Sequence, residues 1–455
     1  MISGGLQPQD TIVAIASAPG RGAIALVRLS GPDAFAIAAK HLRVLPRESR
    51  VAQLCEIFSG EEKLDEAVVT LFPAPNSFTG DDTVEFSTHG GYLVPSSIVA
   101  ALTTSGARQA LPGEFTRRAV LNGKLDIIQA EAIGDLIDAS SRIMQRTAIN
   151  QLDGGLSRRL LTLRNDLIEL EALIAYDIDF PDEDDGPIPR VRIEEATAAV
   201  LKSLNLLLAT APTGELVREG AVVVIAGPPN AGKSSLFNAL LGRSRAIVTE
   251  IPGTTRDAIE AVVDSGKWPL RLVDTAGLCE TDDRIEKLGI EVSERYLADA
   301  HVVLACAEND ASVEHTRSLV SQRTEAPIIA VRTKADLAPN VEQYEHGADA
   351  GIVVSAETGS GLQQLVTAID NAIDDYQGAL PPDLPILTRA RHRKAIEVAC
   401  AEVEQFRQAW CTERLPVTIA AVHLRTAVSE LEELIGTLEI EDVLDRVFSS
   451  FCVGK

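Results

Sequence analysis

The stretch AVVVIAGPPNAGKSSLFNALLG, residues 221–242, decides the fold of the domain around it. Its apolar run predicts a buried strand, the glycines predict a tight turn, and SSLFNALLG predicts a helix. Gly227 to Ser234 matches G-x-x-x-x-G-K-[ST], a pattern in which backbone N–H groups and the helix N-terminus face phosphate oxygens. Lys233 can then place its charge at the β- and γ-phosphates, and the Ser234 hydroxyl can bind Mg²⁺. The stretch therefore predicts a strand–loop–helix site for a nucleoside triphosphate.

Motifs at the ends of later apolar runs favour a guanine nucleotide. Asp274-Thr275-Ala276-Gly277 ends the run PLRLVD, where a carboxylate can hold the hydration shell of Mg²⁺ and the glycine amide can sense the γ-phosphate. Thr333-Lys334-Ala335-Asp336 follows PIIAVR, and Ser355-Ala356 follows GIVV. A carboxylate at Asp336 can accept two hydrogen bonds from the N1/N2 edge of guanine, which adenine cannot supply. Thr333 replaces the usual Asn of this motif, and we expect guanine preference to survive through Asp336 with weaker binding.

The residue that orients the attacking water is not obvious from these motifs. Leu278 follows Asp-Thr-Ala-Gly at the position where Ras-like enzymes carry a glutamine, and an apolar side chain cannot orient water. Glu286 is a candidate for that task, with a solvated helix charge as the alternative interpretation.

Patterning along the 455 residues indicates several domains. Short β-branched runs predict an N-terminal α+β domain, and leucines at steps of three and four from Leu156 onward predict a long amphipathic helix. Continuous Val/Ile-rich runs between positions 221 and 376 predict a mostly parallel sheet, and a Pro-rich joint then leads back to helices. The predicted fold is multidomain: an N-terminal α+β domain (1–120), a helical domain in two segments (121–216 and 379–455), and an inserted Ras-like α/β P-loop G domain (217–378).

Composition limits the class of protein. Lys and Arg number 42 against 66 Asp and Glu, and the net charge of −24 argues against a broad basic surface for nucleic acid. Local basic patches at Arg117-Arg118, Arg158-Arg159 and Arg389 to Lys394 remain candidates, with a solvated face as the alternative for each. The six cysteines form no C-x-x-C pair, and no signal peptide or membrane span is recognisable. We therefore expect a soluble, cytoplasmic protein with no membrane partner.

Four stretches outside the nucleotide motifs make the whole chain resemble the MnmE (TrmE) family of tRNA modification GTPases. They are DTIVAIASAPGRGAIALVRLSG (10–31), NSFTGDDTVEFSTHGG (76–91), PGEFTRRAVLNGKLDIIQAEAIGDLIDASS (112–141) and FCVGK (451–455). The resemblance implies a homodimer formed through the N-terminal domain, and 5-formyl-tetrahydrofolate or a related one-carbon tetrahydrofolate as cofactor. It also implies a heterotetramer with an FAD-dependent partner enzyme of the MnmG (GidA) type. Together the two would add an aminomethyl or carboxymethylaminomethyl group at C5 of the tRNA wobble uridine, U34.

Four positions match the folate contacts of that family: Arg28, Glu85, Lys124 and Lys455. A cationic group can pair with the glutamate tail of a folate, and a carboxylate can accept hydrogen bonds from the pterin edge. Cys452 matches the cysteine of the terminal motif, so a chemical role is implied there. A small apolar residue in a docking tail is the equally weighted alternative for that cysteine.

The resemblance also assigns roles in the G domain. Potassium-dependent pairing of two G domains implies K⁺ ligands at Asn230, Thr249, Ile251 and Thr254. Thr255 matches a Mg²⁺ ligand beside Ser234, and Glu286 matches the water-orienting glutamate. The full set of expected nucleotide-binding residues is Asn230, Ala231, Gly232, Lys233, Ser234, Ser235, Thr249, Thr254, Thr255, Asp274, Thr275, Ala276, Gly277, Thr333, Lys334, Asp336, Ser355 and Ala356.

Two other classes of function remain possible from the residues. A regulatory GTPase of ribosome assembly would share the phosphate-loop motifs but would leave the N-terminal stretches without a role. A scaffold or membrane-remodelling module would fit a dimerising G domain, but no basic, lipid-binding helix is recognisable. The tRNA modification GTPase is therefore the preferred interpretation.

Overall fold

The computed structural model describes residues 10–179, 189–243, 259–264, 266–274, 296–337, 351–377, 385–412, 417–436 and 454. The chain divides into two compact units, Met1–Gly134 with Glu432–Lys455, and Asp135–Leu431. Among the described residues, no helix combines the length and the apolar character that crossing a bilayer requires.

The N-terminal unit is built on a six-stranded sheet of order β3-β4-β5-β2-β1-β6. Its strands are β1 (Ile12–Ile15), β2 (Ile24–Ser30), β3 (Gln53–Ser59), β4 (Glu62–Phe72), β5 (Thr83–His89) and β6 (Arg108–Gln109). The helices are α1 (Ala34–Ala39), α2 (Leu93–Thr104), α3 (Glu114–Leu121) and α4 (Ile127–Asp138), the last of which crosses the boundary between the units. Alternate residues of β2, Val27 and Leu29, are fully buried in the core beneath α1 and α2. The predicted α+β domain is confirmed.

Gly454, close to the end of the sequence, packs on the first strand of this unit. Gly454 is buried with φ +99, and a Cβ atom there would lie 2.1 Å from the carbonyl oxygen of Ile15. Only glycine fits such a close approach of two backbones at a positive φ. Gly454 is therefore packed against the backbone of β1.

Helices precede the second sheet: α5 (Arg142–Leu152), α6 (Gly155–Asp179), α7 (Arg190–Leu208) and α8 (Ala211–Glu219). The leucines from Leu156 to Leu167 that predicted one apolar face of a helix are all fully buried along α6.

The second sheet has the order β12-β11-β10-β7-β9-β8 and is parallel except for β8. Its strands are β7 (Ala221–Ala226), β8 (Ile259–Asp264), β9 (Pro269–Asp274), β10 (Val302–Ala307), β11 (Ile328–Arg332) and β12 (Ile352–Val353). The helices are α9 (Lys233–Arg243), α10 (Asp310–Val320) and α11 (Leu362–Gln377). Every residue of β7 and β10 is buried, because this sheet is covered on both faces. The predicted α/β architecture is confirmed.

Two helices follow the second sheet: α12 (Ala390–Thr412) and α13 (Val417–Ile435). Helix α12 packs against α7, and the Arg190 guanidinium at the start of α7 donates to the carbonyl oxygen of Trp410 at 2.9 Å. The helices before and after the α/β sheet therefore form one helical domain in two segments, as the sequence predicts.

An ion-pair network centred on the buried Glu114 joins Asp10 and Arg108 to α3. Glu114 accepts from Arg108 at 2.7 Å, from Arg118 at 3.0 Å and from the Leu111 N–H at 2.8 Å. Asp10 binds the same two guanidinium groups. Burial by itself raises the pKa of Glu114, but the hydrogen bonds outweigh it, so the pKa lies below its ordinary value. The Arg118 guanidinium is therefore paired with two carboxylates of the same unit.

Replacing Glu114 with Gln keeps the side-chain shape but removes the negative charge that Arg108 and Arg118 share. We expect the N-terminal unit to lose about 3–5 kcal/mol of unfolding free energy at about pH 7. The measurement is hydrogen exchange of β1 and α3 in urea. Because the folded pKa of Glu114 is lowered, its contribution is present above the ordinary carboxyl pKa and is lost as the pH falls through the folded value.

The difference in unfolding free energy between wild type and Glu114→Gln must therefore disappear in acid. Glu62→Gln, at an exposed position of β4, is the control and should match wild type in both conditions. An undiminished difference in acid would show that the charge of Glu114 is not what stabilises the unit.

Candidate functional site

The phosphate-loop motif lies between β7 and α9, as predicted. A Cβ atom at Gly227 would lie 2.1 Å from the carbonyl oxygen of Cys306 in β10, so only glycine lets the loop pass that strand. Asn230 and Gly232 both have positive φ, +61 and +78. These two left-handed residues turn the chain back, so that α9 begins at Lys233.

Lys233 is held over the loop that precedes it. Its Nζ donates to the carbonyl oxygens of Gly227 and Pro228, both at 2.9 Å, and the residue is only 7% exposed. The next two residues, Ser234 and Ser235, are exposed on the first turn of α9. A charged amine, two hydroxyls and the N-terminus of a helix therefore meet at one place, an arrangement suited to a phosphate group.

Asp274 lies at the same edge of the sheet. It is the last residue of β9, pairs in register with Ile225 near the end of β7, and is 1% exposed. Because the carboxyl ends of parallel strands meet at one edge, its carboxylate lies on the side from which the phosphate loop emerges.

Thr333 connects the guanine motif to the phosphate loop. Its hydroxyl donates to the carbonyl oxygen of Ala231 at 2.6 Å and lies 3.3 Å from that of Ala307. Its backbone N–H also donates to Ala307 at 2.9 Å. Lys334 follows with φ +58, and its ammonium pairs with Glu308. A hydroxyl at position 333 therefore joins two loops, and Glu308 is a neighbour that no motif had indicated.

Asp336 is oriented by the second guanine motif. The Ser355 hydroxyl donates to Oδ1 of Asp336 at 2.6 Å and accepts from the Thr358 N–H at 3.2 Å. The Ala335 N–H donates to the carbonyl oxygen of Val354, which fixes the 3-10 turn that carries Asp336. A cavity of about 550 Å³ opens here. Its walls include Gly232, Ser235, Thr333, Lys334, Asp336 and Ala356.

The N-terminal unit holds the other predicted cluster. Arg28 and Glu85 lie opposite each other on β2 and β5, with Nε and Nη2 at 2.9 and 2.8 Å from the same carboxylate oxygen, Oε1. The guanidinium carbon lies 5.0 Å from the Phe78 ring centroid and 5.6 Å from that of Phe115. Lys124 donates to the carbonyl oxygen of Pro75 at 3.0 Å. The two aromatic partners of Arg28 were not predicted.

Several predicted site residues lie outside the described residues. They are Thr249, Ile251, Thr254, Thr255, Thr275, Ala276, Gly277, Glu286, Cys452 and Lys455.

Three of the basic candidates are paired with carboxylates of this chain. Arg389 pairs with Asp135 at 2.6 Å, and Arg393 pairs with Glu215 and Glu397, both at 2.8 Å. Together with the buried Arg118, these contacts reduce the positive charge that is available to an external ligand.

The phosphate loop, the acidic end of β9 and the Asp336–Ser355 pair lie along the carboxyl edge of one mostly parallel sheet. That combination defines a P-loop protein of the Ras-like, guanine-nucleotide-binding class. A family model described as the MnmE helical domain matches residues 127–452, and one described as the GTP-binding protein TrmE N-terminus matches residues 11–124.

Curated relatives match nearly the whole chain. The tRNA modification GTPase MnmE of Heliobacterium modesticaldum is 40% identical, with 98% of this chain and 99% of that protein covered. The proteins of the same name from Akkermansia muciniphila and Methylobacterium radiotolerans are 40% and 42% identical, again over 98% of this chain and 99% of their own length. This chain belongs to the MnmE family of tRNA modification GTPases.

Thr333→Val removes the hydroxyl while keeping the side-chain volume. The buried Ala231 carbonyl then loses a donor, which costs about 1 kcal/mol or more. We expect guanine-nucleotide affinity to fall roughly five- to tenfold, measured by titration with a fluorescent GDP. Thr333→Ser should bind almost as wild type, and Thr367→Val, on the exposed face of α11, should have no effect. Equal affinities of the Val and Ser variants would show that the hydroxyl does not support the site.

Proposed function

We propose that this chain is a potassium-stimulated GTPase that acts with an FAD-dependent partner at C5 of wobble uridine U34 in certain tRNAs. The reaction adds an aminomethyl or carboxymethylaminomethyl group, using the one-carbon unit of a tetrahydrofolate. The observation that carries this proposal is the joint presence of an assembled guanine site and of end-to-end similarity to tRNA modification GTPases.

In the nucleotide site, each group has a separate task. The phosphate-loop N–H groups and Lys233 neutralise phosphate charge, while Asp336, oriented by Ser355, accepts hydrogen bonds from the guanine edge. The Thr333 hydroxyl joins the base-binding part of the site to the phosphate loop through its hydrogen bond to Ala231. Glu286 orients the attacking water in this proposal.

The donor atoms present fit a divalent and a monovalent cation. The exposed Ser234 hydroxyl and the Asp274 carboxylate are hard oxygen donors at one sheet edge, as Mg²⁺ prefers. The Thr255 hydroxyl would be a further oxygen ligand from this chain. Mg²⁺, when bound, neutralises charge that develops on the phosphates. Asn230 presents an exposed amide on the phosphate loop and would hold K⁺ with Thr249, Ile251 and Thr254.

The N-terminal cluster fits a folate. Arg28 and Lys124 supply cationic groups, and Glu85 supplies a carboxylate acceptor for the N–H groups of a pterin. The docking of Gly454 on β1 supports a role for its neighbours Cys452 and Lys455 in the same unit.

The remaining partners follow from the same proposal. The protein is a cytoplasmic homodimer through its N-terminal domain and assembles with an MnmG-type enzyme into a heterotetramer. Much of the tRNA binding comes from that partner, because this chain carries a net charge of −24 and pairs Arg118, Arg389 and Arg393 with its own carboxylates.

Potassium should stimulate GTP turnover by at least about tenfold over sodium at equal ionic strength, since a cation placed at the phosphates supplements the protein's charges. The measurement is phosphate release under saturating GTP. Asn230→Ala should lose the difference between the two salts, whereas Asn205→Ala, an exposed amide on α7, should keep it. Equal wild-type rates in the two salts would remove potassium from the mechanism.

The decisive test of the substrate is nucleoside analysis of wobble-position tRNA from cells that lack this chain. We expect undermodified U34, lacking the C5 group, in the deletion strain, recovery with wild type, and no recovery with Glu286→Ala or Arg28→Ala. Complete U34 modification in the deletion strain, with defective ribosomal particles, would instead favour the ribosome-assembly GTPase.

A further inference from the structure

The segment that carries Phe78 is a closely hydrogen-bonded loop between β4 and β5. The Ser77 hydroxyl donates to the carbonyl oxygen of Asp81 and accepts from the Gly80 N–H at 2.9 Å. The Asp81 N–H donates to the Thr79 hydroxyl at 3.2 Å. These bonds fix the backbone on both sides of Phe78.

The same loop is tied to the rest of the unit on several sides. Asn122, at the end of α3, donates to the carbonyl oxygen of Thr79 at 2.7 Å, and the Thr79 hydroxyl lies 2.7 Å from that of Ser30. The Ala74 N–H donates to Asp82 at 2.8 Å. A loop held by its neighbours in this way keeps its aromatic residue in one place, which flexible surface loops do not do.

The fixed Phe78 ring lies against the Arg28 guanidinium. Its ring centroid lies 5.0 Å from the guanidinium carbon, and Phe115 provides a second ring at 5.6 Å. Both nitrogens that reach Glu85 bind Oε1, and within the described part of the chain no hydrogen bond to Oε2 is seen. The arrangement offers an acceptor oxygen beside a guanidinium whose rotamer is restricted by two rings.

The loop also supports the second cation of the cluster. Lys124 donates to the carbonyl oxygen of Pro75, and a Cβ atom at Gly80 would lie 3.4 Å from Cγ of Lys124. One loop therefore contacts both Arg28 and Lys124, through an aromatic ring and through a carbonyl group.

We propose that Phe78 is a positioning residue of the one-carbon site: it holds the Arg28–Glu85 pair so that Glu85 meets the N–H edge of a planar heteroaromatic ligand. This inference rests on the proposed folate function. Phe78 acts through Arg28, so its effect depends on an aromatic ring at position 78 and not on side-chain bulk alone.

The binding test measures 5-formyl-tetrahydrofolate affinity of the full chain by calorimetry. We expect Phe78→Leu to weaken binding roughly five- to tenfold, and Phe78→Tyr to remain within about twofold of wild type. Phe58→Leu is the matched control, because Phe58 lies 5.2 Å from the Arg43 guanidinium on the same sheet but outside the cluster. Asn122→Ser, which removes one attachment of the loop, should weaken binding in the same direction.

A second measurement needs no ligand. The Arg28 Nε–H resonance should lie upfield because of the two ring currents, and should move downfield in Phe78→Leu but not in Phe78→Tyr. Assignment comes from Arg28→Lys, and thermal unfolding checks that each variant is folded.

The outcomes separate the two proposals. No folate binding by wild type would refute the folate part of the proposed function. Wild-type binding with an unchanged affinity and resonance in Phe78→Leu would overturn the role of Phe78 alone. Loss of affinity in both Phe78→Leu and Phe78→Tyr would also overturn it, because the ring would then not be the feature that matters.

Discussion

The contact between Gly227 and the carbonyl oxygen of Cys306 is the constraint on which the nucleotide site depends. Any side chain at position 227 would meet that oxygen at 2.1 Å, so the phosphate loop passes β10 only because glycine stands there. The same path brings the Ala231 carbonyl to the Thr333 hydroxyl. The loop that follows β7 and the loop that follows β11 are therefore joined by this hydrogen bond, and neither loop is positioned independently of the other.

The local parts of this site could be predicted because each depends on residues that lie close together in the sequence. Gly232, Lys233 and Ser234 occupy the turn and first helical residues that the motif requires, and the apolar runs became buried strands. The role of Thr333 could not be predicted, because it depends on a contact with Ala231 across 102 positions. Weaker nucleotide binding stays a prediction, and the structure adds that the Thr333 hydroxyl bonds to the carbonyl oxygens of two loops.

The partners of the basic residues could not be predicted from the sequence. Runs such as Arg117-Arg118 and Arg389 to Lys394 look like solvated faces or ligand contacts when read alone. In the structure, Arg118 is buried against Glu114, and Arg389 is paired with Asp135, 254 positions away. Which carboxylate finds which arginine is set by tertiary packing, so charge patterning predicted the net field of the protein but not its local pairs.

The segment that leads into the α/β sheet lies beside the segment that begins at residue 385, after the sheet. On the way into the sheet, Thr210 at the start of α8 accepts from the Leu387 N–H at 3.1 Å. A Cβ atom at Gly214 in α8 would lie 1.8 Å from the Leu387 carbonyl oxygen, so the outgoing and returning segments are in direct contact. Gln151 of α5 binds the carbonyl oxygen of Ile386 at 3.1 Å. Because Leu387 is bonded to Thr210 and Ile386 is bonded to Gln151, the start of the returning segment, the segment that leads into the sheet and helix α5 are held together as one group.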